Sequence, residues 1–410
     1  MNKLISYISI FLYLVGMTAF QLGSGFDYYF VRISFVLLVT VFFFSHRDIR
    51  INSHLIWCTL FWFFYLLSLL WCENTEDTLY YINNIIQIVG IVICFYSFIE
   101  TKNDIISFIK MMIFASSIAA VRVIILTPSA SWGTERIGEA IGLNPNGLGM
   151  LLAISAILCI YMLHNLHNIY LITSKKFAFF VYLGFFVLFL LLTIFTGSKK
   201  SIIMLIAGVF IYELAITKGV KFAFKFAVLF AVFMSLIYLV FTNETFYTIL
   251  GRRLEKTILT INGSASGNSV DGSLEERLYY MQSAKQLFYD HPFLGYGGNN
   301  FVSRMREIGY SHVAYCHNNY YEILCTLGIL GFCLYYFEWL KVLISLFRKV
   351  VIRHDSLSLI FLIIVVIELV MDYGNVSYVN EYTQIILLLG FIVGNKKIDV
   401  ERDSKCLLIV

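Results

Sequence analysis

One histidine and two asparagines stand together where an apolar run begins, in the segment "CHNNYYEILCTLGILGF" that starts at Cys316. A neutral imidazole is the usual general base near pH 7, so His317 could take a proton from a hydroxyl group. Asn318 and Asn319 could orient that ring or hold a sugar hydroxyl. The alternative interpretation is that His317 is an interfacial or capping residue at the mouth of a helix.

Two lysines form the second candidate, in "TGSKKS" (Thr196–Ser201) between two apolar runs. Ser198 can cap the following helix, whose free N–H groups together with Lys199 and Lys200 would make an anion site. The alternative is that both lysines extend into the lipid headgroups. The stretch lacks the glycine pattern of a P-loop, which argues against ATP as the anion.

The third candidate is Arg277, in the polar stretch "SLEERLYYMQSAKQLFYDHPF". Ser273 and Glu276 have the spacing of a capping box, and Pro292 predicts that the helix ends near His291. Four apolar residues recur at helical spacing: Leu274, Leu278, Met281 and Phe288. Arg277 lies on the flank of this stripe and belongs either to a site or to a solvated helix face. The following "GYGGNN" predicts a tight turn.

The elements that position these groups are membrane helices. Of the 410 residues, 59% are hydrophobic and 14% are charged, which leaves too little polar surface for a soluble chain of this length. About twelve apolar runs are long enough to cross a bilayer. They cover approximately residues 4–22, 28–45, 54–71, 82–99, 105–126, 143–163, 177–196, 202–217, 225–242, 318–345, 357–371 and 383–394. The sequence therefore predicts an all-α polytopic membrane protein.

Basic residues set the expected orientation, because they concentrate in alternate connections and such connections face the cytoplasm. This places both termini in the cytoplasm. It divides the chain into transmembrane helices 1–9 (1–242), a large external loop (243–317), helices 10–12 (318–394) and a cytoplasmic tail (395–410). The residues counted are Lys3, Arg47, Arg50, Lys102, Lys175, Lys176, Lys218, Lys221, Lys225, Arg348, Lys349, Arg353, Lys396 and Lys397.

Other polar groups give weaker signals. Arg122 lies inside an apolar run and needs a partner, for which Glu368 and Asp372 are the candidates. The eight cysteines form no metal-binding pattern. Cys72 and Cys316 both fall near helix ends that are predicted to lie on the same side of the membrane, so a disulfide between them is one alternative. We expect no metal, no cofactor and no nucleic-acid partner.

Four stretches in order resemble the O-antigen ligase and O-antigen polymerase (Wzy-type) family of integral membrane glycosyltransferases. They are "GLNPNGLGM", "TGSKKSIIMLIAGV", "RLYYMQSAKQLFYDHPFLGYGGNNF" and "HNNYYEILCTLGILGF", and they span roughly residues 140–335. The resemblance implies a GT-C-like fold of about twelve transmembrane helices with one large external loop. It implies a glycan donor on undecaprenyl pyrophosphate at the outer leaflet of the bacterial inner membrane, and transfer to a sugar hydroxyl with inversion and without a metal.

Carried over by position, the resemblance makes His317, Arg277 and Lys199 the catalytic candidates. Lys199 departs from the family, which has arginine there, and lysine lacks the bidentate fork suited to phosphate. The substrate-binding candidates are Lys200, Asn318, Arg252, Asn146 and Tyr321. For Tyr321 the alternative is a place in the interfacial aromatic belt. The partners implied are the undecaprenyl-pyrophosphate-linked oligosaccharide and membrane lipid, with room for a chain-length regulator.

The acceptor separates two functions. A polymerase transfers the glycan to another lipid-linked repeat unit, as in capsule, O-antigen or exopolysaccharide synthesis, whereas a ligase transfers it to lipid A core. The loose motifs and the lysine at position 199 favour the polymerase. A transporter or flippase would need repeat-related halves and helices broken near the membrane midplane, and a purely structural scaffold leaves the misplaced cations unexplained.

Overall fold

The computed structural model describes residues 2–20, 26–45, 48–139, 143–166, 174–264, 270–310 and 315–395, and within these ranges it contains helices and no strand. The predicted tail, Arg47, Lys396, Lys397, Gly142 and the centre of the Gly/Ser/Asn-rich stretch lie outside the described residues. The helices are α1 (Asn2–Ala19), α2 (Phe26–Phe44), α3 (Ser53–Leu67), α4 (Thr75–Leu79), α5 (Ile82–Phe98), α6 (Lys102–Leu126), α7 (Pro145–His164), α8 (Lys175–Phe195), α9 (Lys199–Ala215), α10 (Val220–Thr242), α11 (Glu244–Phe246), α12 (Arg252–Ile261), α13 (Gly272–Asp290), α14 (Phe301–Glu307), α15 (Asn319–Arg353), α16 (Ser356–Met371) and α17 (Glu381–Asn395).

The membrane character predicted from the sequence is confirmed. Within the described ranges, nine helical segments are long and apolar enough to cross a bilayer. The other three predicted spans correspond to the shorter apolar helices α1, α9 and α17. Each predicted span therefore coincides with a helix, because apolar runs in lipid must satisfy their backbone groups internally.

Burial separates central helices from peripheral ones. Helix α7 packs against α6, α8, α9 and α16, and nearly all of its side chains are buried. Residues Tyr382–Gly394 of α17 are likewise buried throughout. Helix α10 is the opposite case, because its apolar side chains are almost all exposed, as on a lipid-facing helix. The core lies around α7 and α17, and the site forms at one end of it.

Helix α13 begins and ends where the sequence predicts, but the predicted capping box is wrong. The N-cap residue is Asp271, and its carboxylate is engaged with Lys199 instead of a backbone N–H of α13. The predicted apolar stripe is also wrong in part, since Leu278 is 51% exposed. The face that packs on α15 centres on Tyr280 and Ala284. Tertiary contacts with α9 and α15 override the local pattern.

Helix α15 is not one continuous span, contrary to the prediction over 318–345. Gly328 has φ +64° and ψ −170°, a conformation that only glycine adopts readily, so the helix is interrupted there. The predicted Gly-rich turn fills the break, because a Cβ on Gly328 would clash with the Phe293 carbonyl. Gly331 fits the predicted close packing, since a Cβ at this position would lie 3.2 Å from the Phe64 ring.

The backbone groups freed by this break bond to the turn between α13 and α14. The N–H groups of Tyr296 and Gly297 donate to carbonyls of α15 at 3.0 and 2.8 Å, and Ile329 N–H donates to Pro292 at 2.8 Å. The break thus anchors the loop to a membrane helix instead of lining a transport path. This arrangement differs from the broken helices expected of a transporter.

Two weaker predictions also turn out differently. Arg122 pairs with Asp27 at 2.7 Å and donates to the Ala19 carbonyl at 2.5 Å, so Glu368 and Asp372 are not its partners. Cys72 and Cys316 are both free, and no disulfide joins them.

Candidate active site

His317 lies between α14 and α15, at the end of the helix bundle where α7, α9 and α15 begin. Its φ is +60°, a left-handed conformation that a non-glycine residue adopts only when its surroundings enforce it. The ring lies parallel to that of Tyr280 at 6.3 Å between centroids, and 4.2 Å from that of Tyr315. Burial, then the charges of Arg277 and Lys200, lower the pKa of His317 to about 4.

The residues on either side of His317 hold it in place. Cys316 N–H donates to the Glu322 carboxylate at 2.8 Å. Asn318 is the N-cap of α15, accepting from Tyr321 N–H at 3.0 Å, and its amide donates to the Tyr373 carbonyl at 3.0 Å. Asn318 is fully buried, and as the N-cap of α15 it positions the histidine loop.

Asn319 joins the histidine loop to the segment after α16. Its amide donates to Tyr336 at 2.8 Å and to Asp372 at 3.1 Å, and its carbonyl accepts from the N–H groups of Ser377 and Tyr378. Such a fully bonded buried amide fixes the relative position of the segments it joins. The start of α15 and residues 372–378 therefore form one rigid wall of the site.

The turn between α8 and α9 carries the two lysines. Ser198 caps α9 as predicted, with its hydroxyl accepting from Ser201 N–H at 3.4 Å. Gly197 has φ +58°, and a Cβ there would lie 2.8 Å from the Ile249 carbonyl. Gly149 of α7 is equally constrained, because a Cβ would lie 2.6 Å from Ser201. The glycines let α7 and the loop approach this turn closely.

The two lysines have different partners. Lys199 forms an ion pair of 2.7 Å with Asp271 and also donates to Thr257, so it ties α9 to α12 and to the start of α13. Lys200 extends towards the segment after α16, where its Nζ lies 2.9 Å from the point that a Cβ on Gly374 would occupy. Among the described residues, no carboxylate pairs with Lys200. Lys200 is therefore the free cation of the pair.

Arg277 is central among the cations. Its charge acts on His317, Lys199, Lys200 and Arg253. Its Nε is buried and has no hydrogen-bond partner among the residues that the structure describes. It lies on α13 one turn before Tyr280, the residue that stacks on His317. An arginine held in this way has donors available for an anionic ligand.

Two further arginines belong here, and the sequence analysis missed both. Arg136 donates to the Thr196 carbonyl at 2.8 Å and to Asn146 at 3.0 Å. Burial, and then the charge of Arg253, lower its pKa to about 10. Arg253 is half-buried, and burial lowers its pKa, whereas the predicted Arg252 is exposed. Neighbouring arginines on a helix point in different directions, so only the packing of α12 distinguishes them.

We call Arg136, Lys199, Lys200, Arg253 and Arg277 the cation cluster. Two of its members form ion pairs, Lys199 with Asp271 at 2.7 Å and Arg136 with Glu139 at 2.9 Å. Asn146 lies at its edge as a partner of Arg136, not as a free group. Tyr321 packs against the small apolar cluster that contains Tyr280 and Phe301. The cluster retains an excess of positive charge beside a neutral imidazole, an arrangement suited to an anionic leaving group and a hydroxyl nucleophile.

Comparison with known families agrees with this geometry. Residues 184–336, from within α8 to the first half of α15, match the family model described as O-antigen ligase. The matched range includes His317 and all members of the cation cluster except Arg136. No curated protein matches the chain. Together with the membrane helices, this match over residues 184–336 is consistent with the O-antigen ligase and polymerase (Wzy-type) family.

Proposed function

We propose that this protein is a polysaccharide polymerase, which transfers a glycan from undecaprenyl pyrophosphate to a sugar hydroxyl of another lipid-linked repeat unit. The observation that carries the proposal is the position of His317, whose pKa is lowered by burial and by Arg277 and Lys200. A neutral imidazole is the form that accepts a proton, and the same cations attract a pyrophosphate. In this proposal the His317 imidazole acts on the acceptor hydroxyl, and the cations Arg277 and Lys200 act on the pyrophosphate leaving group.

In the proposed reaction, the acceptor oxygen attacks the anomeric carbon from the face opposite the pyrophosphate. The new C–O bond forms as the bond from that carbon to the pyrophosphate oxygen breaks, which inverts the anomeric centre. The hydroxyl proton passes to His317, and the pyrophosphate leaves with the electron pair. Arg277 and Lys200 stabilise the developing negative charge without a divalent metal, and activity should therefore persist in EDTA.

An apolar groove supports a polyprenyl donor. It lies between α8, α9 and α10, has a volume of about 960 Å³ counted with its open part, and reaches Lys199 of the cation cluster. Its walls are almost entirely apolar, with Leu190, Ile202, Phe233 and Val240 among the lining residues. A polyprenyl chain in this groove would bring its pyrophosphate to the cluster. The apolar surface and the adjacent charge match the two parts of such a lipid.

The test is glycan transfer by purified protein in lipid nanodiscs, with the lipid-linked oligosaccharide extracted from the producing cells. We expect His317→Ala and Arg277→Ala to lower the transfer rate by about 100-fold or more. Lys285→Ala is the matched control, since Lys285 lies exposed on α13, the helix that carries Arg277. Unchanged transfer in both site variants would refute the assignment.

Topology is a separate part of the proposal. The site should face the outer side of the bacterial inner membrane, with both termini in the cytoplasm. A reporter inserted within residues 265–269 should give an extracytoplasmic signal. A cytoplasmic signal there would place the site on the wrong side for outer-leaflet chemistry.

A ligase is the second candidate, because the family model that matches the chain is described as O-antigen ligase. The same site would then transfer the glycan to lipid A core. Offering the lipid-linked repeat unit and lipid A core in parallel assays distinguishes the two, since only the functional acceptor gains glycan. Product on lipid A core alone would replace the polymerase by the ligase.

A further inference from the structure

A second polar cleft lies beside the cation cluster, between α1, α7, α16 and the start of α17. Its volume is about 710 Å³ counted with the part open to solvent. The walls from α1 and α7 are largely apolar, whereas α16 and the segment after it contribute polar groups. Apart from Thr18 on α1, the polar lining residues are Asn144, Glu368, Asn375, Asn380, Tyr382 and Thr383.

Two buried polar atoms in this cleft form no hydrogen bond of ordinary length. Glu368 is 1% exposed, and its Oε2 has no such bond with a described residue, although the Thr383 side chain interacts with this carboxyl. The hydroxyl of Tyr382, one residue before Thr383, is also buried without a hydrogen bond of ordinary length in the described part of the chain, although the Ser155 side chain interacts with it. A buried polar group left without a partner destabilises a fold. Two such groups lining the same cleft indicate that a polar ligand supplies the missing bonds.

The chemistry of the lining selects a carbohydrate. Amide, carboxyl and phenol groups bind sugar hydroxyls in several directions at once. The apolar side of the cleft suits the less polar face of a sugar ring. A bare cation would need several oxygen ligands close together, whereas this cleft supplies one carboxylate across a space far larger than an ion.

The cleft is joined to the proposed site at two points. Asn144, which lines the cleft, interacts through its side chain with Tyr315, whose ring lies against His317. Asn375 follows Gly374, the residue against which Lys200 lies. A ligand in the cleft would therefore have one end close to both the imidazole and the free lysine.

We propose that this cleft, the Glu368 cleft, is a subsite that binds one sugar unit of the glycan being transferred or extended, with Glu368 and Tyr382 bonding its hydroxyls. The proposal rests on the proposed function, because it supplies that reaction with a carbohydrate subsite.

Binding of a free glycan tests the subsite directly. The probe is the oligosaccharide released by mild acid from the lipid-linked pool of the producing cells, measured by saturation-transfer NMR with the whole protein in nanodiscs. We expect Glu368→Gln to weaken binding by about 5-fold, the value of one hydrogen bond made by a buried neutral group. Tyr382→Phe should weaken it by about 3-fold. Asn375→Ala alters another residue that lines the cleft. Glycan binding by this variant provides a second test if Glu368→Gln does not fold.

Glu338→Gln is the matched control, because Glu338 is an equally buried carboxylate far from this cleft, paired with His54. It should leave glycan binding unchanged. Wild-type binding in both Glu368→Gln and Asn375→Ala, or no glycan binding by the wild type, would overturn the subsite. Loss of binding in these variants supports it even if the wild type shows no transfer, so failure of the proposed function remains distinguishable.

Kinetics then identify which sugar occupies the cleft. The donor arm varies the pyrophosphate-linked glycan, and the acceptor arm varies the same glycan on a simple alkyl group, which cannot act as donor. In Glu368→Gln, a rise of about 5-fold in one KM with little change in kcat indicates binding lost equally from ground and transition states. The affected arm assigns the cleft to donor or acceptor, and unchanged KM in both arms overturns the proposal.

Discussion

Both ends of the helix bundle bury charged side chains, but they compensate them differently. At the end away from the site, Glu338 pairs with His54 at 2.9 Å and with Lys341 at 3.0 Å. There Glu213 likewise pairs with His164 at 2.7 Å and Lys225 at 2.5 Å. Each of these carboxylates receives two partners.

In the cation cluster, the balance is reversed. Its five cations form two ion pairs with described carboxylates, Arg136 with Glu139 and Lys199 with Asp271, and the buried Nε of Arg277 has no described partner. A fold that can pair its buried charges at one end has no structural need for such an excess at the other. The difference teaches that surplus positive charge, and not the mere presence of buried charge, is the feature that supports the proposed site.

The difference between paired and surplus charge is tested most strongly by substituting Lys199 and Lys200. Lys200→Ala removes the cation that has no carboxylate partner among the described residues, and we expect the transfer rate to fall by about 100-fold, or about 2.7 kcal/mol of transition-state stabilisation. Lys199→Ala should lower it by only about 5-fold, because Lys199 already neutralises Asp271. Steady-state kinetics in nanodiscs measure both variants.

Asp271→Asn is the control for this pair. If Lys199 acts as a structural clamp, Asp271→Asn should behave like Lys199→Ala. If instead Lys199 binds pyrophosphate itself, Asp271→Asn frees it and activity should be maintained or rise, which would contradict the assignment to Lys200.

The pH dependence of kcat/KM tests the effect of the surplus positive charge on His317. The pKa of His317 is lowered to about 4, so the imidazole is neutral above that pH and should accept a proton throughout the neutral range. The acidic limb of kcat/KM should therefore lie near pH 4. At pH 5 the neutral fraction is about 30-fold higher than for a histidine of ordinary pKa near 6.5.

Removing a neighbouring charge should move this limb upwards. In Lys200→Gln the residual activity should lose its acidic limb at a higher pH, since one cation that disfavours the imidazolium is gone. A limb that stays in place in this variant would show that the charge of Lys200 does not reach His317.

Gly328 tests how the loop is anchored. Gly328→Ala forces a side chain into a glycine-only conformation and against the Phe293 carbonyl, so we expect a loss of about 3 kcal/mol in the free energy of unfolding. The transfer rate should fall several-fold, because the break connects α13 and its Arg277 to α15. Thermal unfolding and transfer are measured on the same sample, and wild-type stability would show that the break is not required.

The smallest effect on catalysis should come from the compensated end. Glu338→Gln leaves His54 and Lys341 without their carboxylate, and we expect a loss of about 3 kcal/mol in stability. The kcat of the folded fraction should stay unchanged, as should its pH dependence. A large fall in kcat at constant folded fraction would remove the distinction between the two ends.

Much of the fold follows from local pattern. Apolar runs of sufficient length must form helices in lipid, so the predicted spans coincide with helices, and Ser198 and Pro292 mark real helix ends. The local pattern fails where a distant group competes. Asp271 bonds Lys199 instead of capping α13 by its side chain, and Gly328 breaks a helix because the turn at 292–297 inserts there.

The sequence by itself determined that the chain spans membranes, and it singled out His317, Arg277 and the lysine pair as chemically capable residues. Only the tertiary structure shows that Lys199 pairs with Asp271 whereas Lys200 has no described carboxylate partner, and that Asn318 caps α15. It also shows that Arg253 is more buried than Arg252 and that Arg136 bonds to the Thr196 carbonyl. The physical reason is that residue type and spacing fix hydrophobicity and available chemistry. Whether a cation is neutralised or free depends on partners that are distant in the chain, such as Asp271 for Lys199.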